Sequence, residues 1–234
     1  MKNYINISSK INSFNKSIQV SGDKSISIRC VLLASQAIGK SKLYNLLESE
    51  DVISSLNTIS RLGIKYRKFK NYYEIYGYGI RGFKTNKKIT INAGNSGTLA
   101  RLIIGLLVDS ENQVKIIGDK SLSIRDFSRI TEPIKKFGPN IFSKKNNLPV
   151  KITGSKYLRP IKYNENLGSA QCKSSVMLAA LKTPGITTIK AKKSRDHTEL
   201  LFKSLNLPIK IKKKINYDYI EIKGEQNFNS FNYN

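Results

Sequence analysis

GDKSISIRCVLLASQAIG, residues 22–39, opens on a glycine and small polar or charged residues and then runs into Leu, Ile, Val and Ala at helical spacing. A polar opening ahead of an apolar run is the signature of a helix start. The same design returns as GNSGTLARLIIGLLV (94–108) and as GSAQCKSSVMLAALKTPG (168–185). The opening glycines lie 72 and 74 residues apart, and seven residues after each stands Arg29, Arg101 or Ser175. Shared spacing and shared register identify an internal repeat rather than three chance glycines.

Each copy is followed by the same sequence of patterns. After the first come a short strand at 42–46, a helix at 50–62 with Gly63 as its stop, and a hairpin from 64–69 and 72–78. After the second come a strand at 113–117, a helix at 126–137 stopped by Gly138, and two strands ending near Ile152. After the third come a strand at 186–191, a helix at 196–205, and strands at 208–213 and 217–223. Three copies of helix, strand, helix and hairpin predict one α/β domain of threefold pseudo-symmetry over 21–224, with repeats at about 21–80, 89–154 and 164–224. Its three leading helix N-termini should meet on one face. A strand pattern at 17–20 precedes the first repeat without a counterpart inside it, and the tail 225–234, EQNFNSFNYN, carries neither a helix nor a closed strand pattern.

Composition sets the remaining bounds. In 234 residues, 39% are apolar, enough to build a core, so disorder along the whole chain is excluded. The 41 Lys+Arg against 16 Asp+Glu give a formal charge of +25, a field that attracts polyanions. Its 32 Lys are scattered among Ile and Asn, as compositional bias would also produce; the nine Arg are more informative, because a guanidinium fork reads carboxylate and phosphate bidentately. Cys30, Cys172 and His197 form no metal-ligand spacing. The opening residues lack a signal-peptide core, and the longest apolar run, 102–108, is too short to cross a bilayer. A cytoplasmic protein with reduced thiols is the expectation.

Helix N-termini carry unpaired N–H groups and a partial positive charge, so they are natural anion sites. Lys24, Ser25 and Arg29 stand at the first, Asn95, Ser96, Gly97, Thr98 and Arg101 at the second, and Ser169, Ala170 and Gln171 at the third. Taken singly, the Ser, Asn and Thr are ordinary helix caps. Taken together, with three nearby cations, they make a site for a small, doubly charged ligand. Neither GxxxxGK[ST] nor GxGxxG occurs, which disfavours nucleotide binding by those routes.

SGDKSISIR (21–29), INAGNSGTLAR (91–101), GDKSLSIRDFSRITEPIKKFG (118–138) and the run from SAQCKSS to RDHTE (169–199) resemble, in order, the signatures of the 5-enolpyruvylshikimate-3-phosphate synthase family. The resemblance implies an inside-out α/β barrel domain of the enolpyruvyl transferase type. In that family two such domains close over shikimate 3-phosphate and phosphoenolpyruvate and transfer the enolpyruvyl group by addition and elimination, with neither metal nor organic cofactor. Carried over by position, Lys24 contacts both substrates. Ser25, Arg29, Ser169, Ala170, Gln171 and Arg195 hold shikimate 3-phosphate, with Arg29 at its carboxylate. Asn95, Gly97, Thr98, Arg125 and Gln171 hold phosphoenolpyruvate, and Arg101 supports the turn from behind. Arg125 could instead pair locally with Asp126. Asp196 and Glu199 have capping-box spacing, which accounts for RDHTE with Arg195 alone as a contact. Lys120 and Lys173 read as solvated, and the two Cys as small buried groups.

Length is the departure, since the family is about twice as long. The implied reading is an N-terminal half, with 1–20 as a leading strand of the second domain and 225–234 as an interdomain connection. No catalytic group is assigned to this half, so the chain should not turn over alone; the whole enzyme is expected to be a monomer that touches neither nucleic acid nor membrane. The sister transferase acting on UDP-N-acetylglucosamine shows a GxKN-type opening and a reactive loop Cys, against GDKS and two helical Cys here. A non-enzymatic polyanion binder would use Tyr72, Tyr73, Tyr76 and Tyr78 as a stack beside the basic residues.

Overall fold

Three helices decide the architecture, because each is apolar nearly all round and must therefore be covered on every side. They are α1 (Lys24–Ala34), α3 (Gly97–Leu106) and α6 (Ala170–Lys182), and eleven of the thirteen residues of α6 are buried. The computed structural model describes residues 20–234 and, ahead of them, Asn6, Ser8, Ser9, Lys10, Ser13, Asn15, Ser17 and Ile18. In the first repeat α1 is followed by β1 (Ile38–Tyr44), α2 (Glu50–Arg61), β2 (Lys65–Lys68) and β3 (Tyr72–Tyr78). The second runs β4 (Ile89–Asn92), α3, β5 (Val114–Ile117), the short α4 (Lys120–Ser123), α5 (Ser128–Lys135), β6 (Asn140–Ser143) and β7 (Val150–Thr153). The third runs β8 (Lys162–Glu165), α6, β9 (Ile186–Lys192), α7 (His197–Ser204), β10 (Ile209–Lys213) and β11 (Tyr217–Lys223). The chain then adds β12 (Asn232–Tyr233).

The strands form three four-stranded sheets, ordered β12-β1-β3-β2, β4-β5-β7-β6 and β8-β9-β11-β10. All share one plan: an edge strand parallel to its neighbour, then two antiparallel pairings. Sheets lie outside and the apolar helices inside, which is the inside-out arrangement. The outer helices close the ring. α2 packs on α1 and α3, α5 on α3 and α6, and α7 on α1. Each therefore bridges toward the next repeat, and α7 joins the third back to the first.

The fourth strand of each sheet departs from the sequence reading. β4 and β8 precede their glycines and were not expected as strands. The tail, expected to lack a strand, supplies β12, whose Asn232 and Tyr233 pair with Lys42 and Leu43 of β1. An unpaired edge beside β1 would leave backbone groups without partners, and the tail satisfies them. The strand expected at 17–20 includes Gln19, which lies outside the described residues; Ser17, Ile18 and Val20 are not in a strand. The helix expected from Asp126 begins at Ser128, because the Asp126 carboxylate accepts from Ser128 N at 2.6 Å. The far edges β2 and β10 carry exposed Lys65, Arg67, Lys68, Lys210, Lys212 and Lys213. Part of the basic excess thus guards open edges against pairing with another chain.

Gly63 and Gly138 end α2 and α5 with φ of +86° and +123°, conformations that a side chain resists. Asn206 takes the same role after α7 at φ +53°. Three other glycines, Gly77, Gly154 and Gly224, sit where the last hairpin strand of each repeat crosses the end of its central helix. A Cβ on Gly77 would lie 2.3 Å from Ala37 O, one on Gly154 2.1 Å from Ser110 N, and one on Gly224 1.8 Å from Thr183 O. These neighbours are backbone and have no freedom to yield. Gly224→Ala is expected to cost about 3 kcal/mol, and so to lower the melting temperature by about 6 to 12 °C, measured by thermal circular dichroism. A variant that melts with the wild type would show that the crossing is looser than described.

Candidate anion-binding face

The three leading helices start side by side, and each is capped, the second and third by Ser96 and Ser169 as the simpler reading has it, the first by Asp23, which that reading does not name. Asp23 Oδ1 accepts from Ile26 N at 2.8 Å, Ser96 Oγ from Leu99 N at 3.3 Å and Ser169 Oγ from Cys172 N at 3.3 Å. Capping one N–H leaves the others of the first turn without helical acceptors, so caps and anion site coexist. Ser169 is therefore a cap first, with its hydroxyl proton still free to donate.

Arg29 is the deepest cation. Only 4% exposed, it donates from Nε to Thr198 Oγ1 at 2.7 Å, from Nη2 to Ser174 Oγ at 3.1 Å and from Nη1 to Ser25 O at 2.9 Å. α1, α6 and α7 meet at this guanidinium. Burial pulls its pKa down to about 10; Glu199 opposes that, and Arg195 adds to it. Gln171 forms a second bridge, accepting from Arg101 Nη1 at 2.8 Å and donating to Thr98 Oγ1 at 3.0 Å, which locks α3 to α6. Arg101 is further fixed by the Phe127 ring, 5.2 Å from its guanidinium carbon. Burial and the nearby Arg125 lower the pKa of Arg101.

Gly97 lets two of these cations come together. A Cβ there would lie 2.7 Å from Arg101 Nη1 and 3.1 Å from Arg125 Nη1. Arg125 is exposed and among the described residues makes only long contacts, 3.5 Å to Asn95 Oδ1 and 3.4 Å to Ser121 Oγ. It does not pair with Asp126, whose carboxylate is taken by Ser128. Asn95 is held by Asp119, its Nδ2 donating at 2.6 Å; the bond from Leu122 N, and after it this one, lowers the Asp119 pKa. Lys24 is half exposed and paired with Asp51 of α2 at 2.6 Å.

Ser25, Arg29, Thr98, Ala170, Gln171, Arg195 and His197 line one narrow concavity. Members from all three repeats therefore share a surface, as the repeat predicted. Arg101 reaches it through its bond to Gln171 and Gly97 adjoins Thr98, whereas Lys24, Asn95, Arg125 and Ser169 are not among the residues that line it. His197, set aside in the sequence reading, reaches the concavity because α7 starts beside it. The capping box at RDHTE is not made. Asp196 does not cap α7 and instead accepts from Lys213 Nζ at 3.2 Å, while Glu199 turns inward to Lys173 at 2.5 Å. Lys173 is wholly buried rather than solvated. Thr198, Ser174 and Asp119 were not singled out from sequence; they are support for the cations, and no spacing signal marks them.

The competing chemistries find less support here. Cys30 and Cys172 are buried, and burial pushes Cys30 up to about 12 and Cys172 upward as well. The tyrosine stack that a polyanion binder would use does not form: Tyr72 stacks on Phe69 at 4.7 Å, Tyr73 donates to Glu48 at 2.8 Å and Tyr76 to Glu74 at 2.8 Å. Among the described residues no helix is long and apolar enough to cross a membrane.

The family model of EPSP synthase (3-phosphoshikimate 1-carboxyvinyltransferase) matches residues 8–234. A 3-phosphoshikimate 1-carboxyvinyltransferase of Streptococcus mutans is 37% identical over 218 residues, which is 92% of this chain and 50% of that protein. The EPSP synthase structure from Acinetobacter baumannii superposes with a TM-score of 0.84 at 32% identity, covering 92% of this chain and 49% of that one. The enolpyruvyl transferase NikO from Streptomyces tendae shares the fold alone, with a TM-score of 0.68 at 12% identity over 94% of this chain and 51% of that one. The chain spans about half the length of the relatives it matches.

Proposed function

Since this chain belongs to the EPSP synthase family, we propose that its cationic face is one wall of a site in which the enolpyruvyl group of phosphoenolpyruvate passes to the 5-hydroxyl of shikimate 3-phosphate, with release of phosphate. The convergence of three helix N-termini on the Arg29 and Gln171 bridges carries this reading. Each substrate is a phosphate joined to a carboxylate, and the face offers separated cations on a rigid frame. Lys24, Ser25, Arg29, Ser169, Ala170, Gln171 and Arg195 take shikimate 3-phosphate; Lys24, Asn95, Gly97, Thr98, Arg125 and Gln171 take phosphoenolpyruvate. Arg101, bonded to Gln171 and stacked on Phe127, positions the turn.

The reading includes a partner half that completes the site, a cytoplasmic monomer as the whole enzyme, no cofactor and no nucleic-acid partner. The slot beside β1 is filled by β12, which supports assigning 1–20 to the second domain; the same pairing makes 229–233 part of the first sheet of this domain rather than a connection leaving it. Isothermal titration of shikimate 3-phosphate into the chain tests the site. Lys24→Ala removes one charge-assisted contact of about 1.5 to 3 kcal/mol and is expected to weaken binding about 10- to 100-fold. Equal affinities would remove Lys24 from the site.

A further inference from the structure

Lys173 and Glu199 are 0% and 4% exposed in their side chains and 2.5 Å apart. No hydrogen bond from any other group among the described residues reaches the Lys173 ammonium or either Glu199 oxygen. Burying two ions costs several kcal/mol each, and a well-packed apolar pair would serve stability as well or better. Such a pair therefore asks for a reason beyond cohesion. Its place in the chain supplies one: Lys173 adjoins Ser174 on α6, and Glu199 adjoins Thr198 on α7. Those two hydroxyls hold Arg29, and they are bonded to each other at 2.7 Å. Glu199 also lies close enough to Arg29 for its charge to favour the guanidinium against burial, while Arg195 works the other way.

We propose that Lys173 and Glu199 are a buried positioning pair: the tie between them fixes α7 on α6 so that Thr198 and Ser174 hold the Arg29 guanidinium at one angle. The assignment of Arg29 to a ligand rests on the proposed function; the positioning role does not.

The test uses the ¹⁵N-labelled 234-residue chain and follows exchange of the Arg29 Nε–H with water, the signal being assigned by its loss in Arg29→Ala. In the wild type this proton is buried against Thr198 and exchanges slowly. In Glu199→Gln it is expected to exchange at least tenfold faster, while the amides of Leu32, Leu102 and Val176 inside the three central helices keep their rates. Lys173→Met/Glu199→Leu, an apolar replacement of both ions, guards against a single variant that fails to fold; there too the Arg29 proton should exchange fast while the helix amides stay protected. Unchanged Arg29 exchange in Glu199→Gln overturns the proposal, as does restored protection in the double variant, or equal loss at Arg29 and at the helix amides in both. Shikimate 3-phosphate binding gives a second readout. Glu199→Gln should weaken it about tenfold in the wild type and not at all in an Arg29→Ala background, whereas an equal loss in both backgrounds would assign the pair to cohesion only. If the wild type itself fails to bind, the proposed function falls and the exchange measurement still decides the pair.

Discussion

Arg29→Ala is expected to weaken shikimate 3-phosphate binding by about 100-fold, with Arg29→Lys recovering little of the loss. The guanidinium already spends three N–H directions on Ser25 O, Ser174 Oγ and Thr198 Oγ1. The remaining edge is therefore held at a fixed angle, and a charged hydrogen bond made without reorientation sits at the strong end of the range, about 3 kcal/mol. A lysine keeps the charge but replaces the planar fork with a flexible, strongly hydrated point charge that matches none of the three acceptors together. Titration calorimetry of both variants decides it. If Arg29→Lys binds like the wild type, charge alone matters and the three-way anchoring is irrelevant to the ligand.

That anchoring marks the boundary of what the sequence could disclose. Apolar runs opened by Gly and polar residues give α1, α3 and α6 directly, because a helix covered on all sides has to be apolar on all sides. Their common register gives the convergence of Ser25, Arg29, Thr98 and Gln171. By contrast, β8 reads Lys-Tyr-Asn-Glu and turns Tyr163 and Glu165 inward, so its alternation is not one of apolar and polar. β12 has two residues and exists because β1 needs a parallel neighbour, a condition set 190 residues away.

The RDHTE segment misleads for a related reason. Capping-box spacing describes a local exchange between Asp196 and Glu199, but the buried Lys173 ammonium, 26 positions earlier, needs an anion more than the helix needs a cap. Local patterns lose to long-range desolvation wherever a charge is taken out of water. The same imbalance hid Lys173 itself, since an isolated Lys in an amphipathic sequence is ordinarily solvated.

The 234-residue chain is expected to show no enolpyruvyl transfer above the uncatalysed background, and to gain it when a polypeptide corresponding to the second half of a family member is supplied. Addition of a hydroxyl to phosphoenolpyruvate needs a group to take the hydroxyl proton and another to protonate carbon, both within hydrogen-bond reach. The carboxylates bordering the cationic face are committed: Asp51 to Lys24, Asp119 to Asn95 and Leu122, Glu199 to Lys173. His197 is the one acid–base group among the residues lining the concavity, and the Lys24 ammonium is tied to Asp51; one untied group is too few for paired proton transfers. A wall of cations open to water also orients its ligands without desolvating them, so much of the electrostatic gain that a closed site gives a transition state is absent. Phosphate release, assayed with both substrates present, should therefore stay at background for the chain alone and rise by several orders of magnitude on reconstitution. Turnover by the chain alone at a rate comparable to the reconstituted protein would place the missing proton donor on this face, with His197 the first residue to replace.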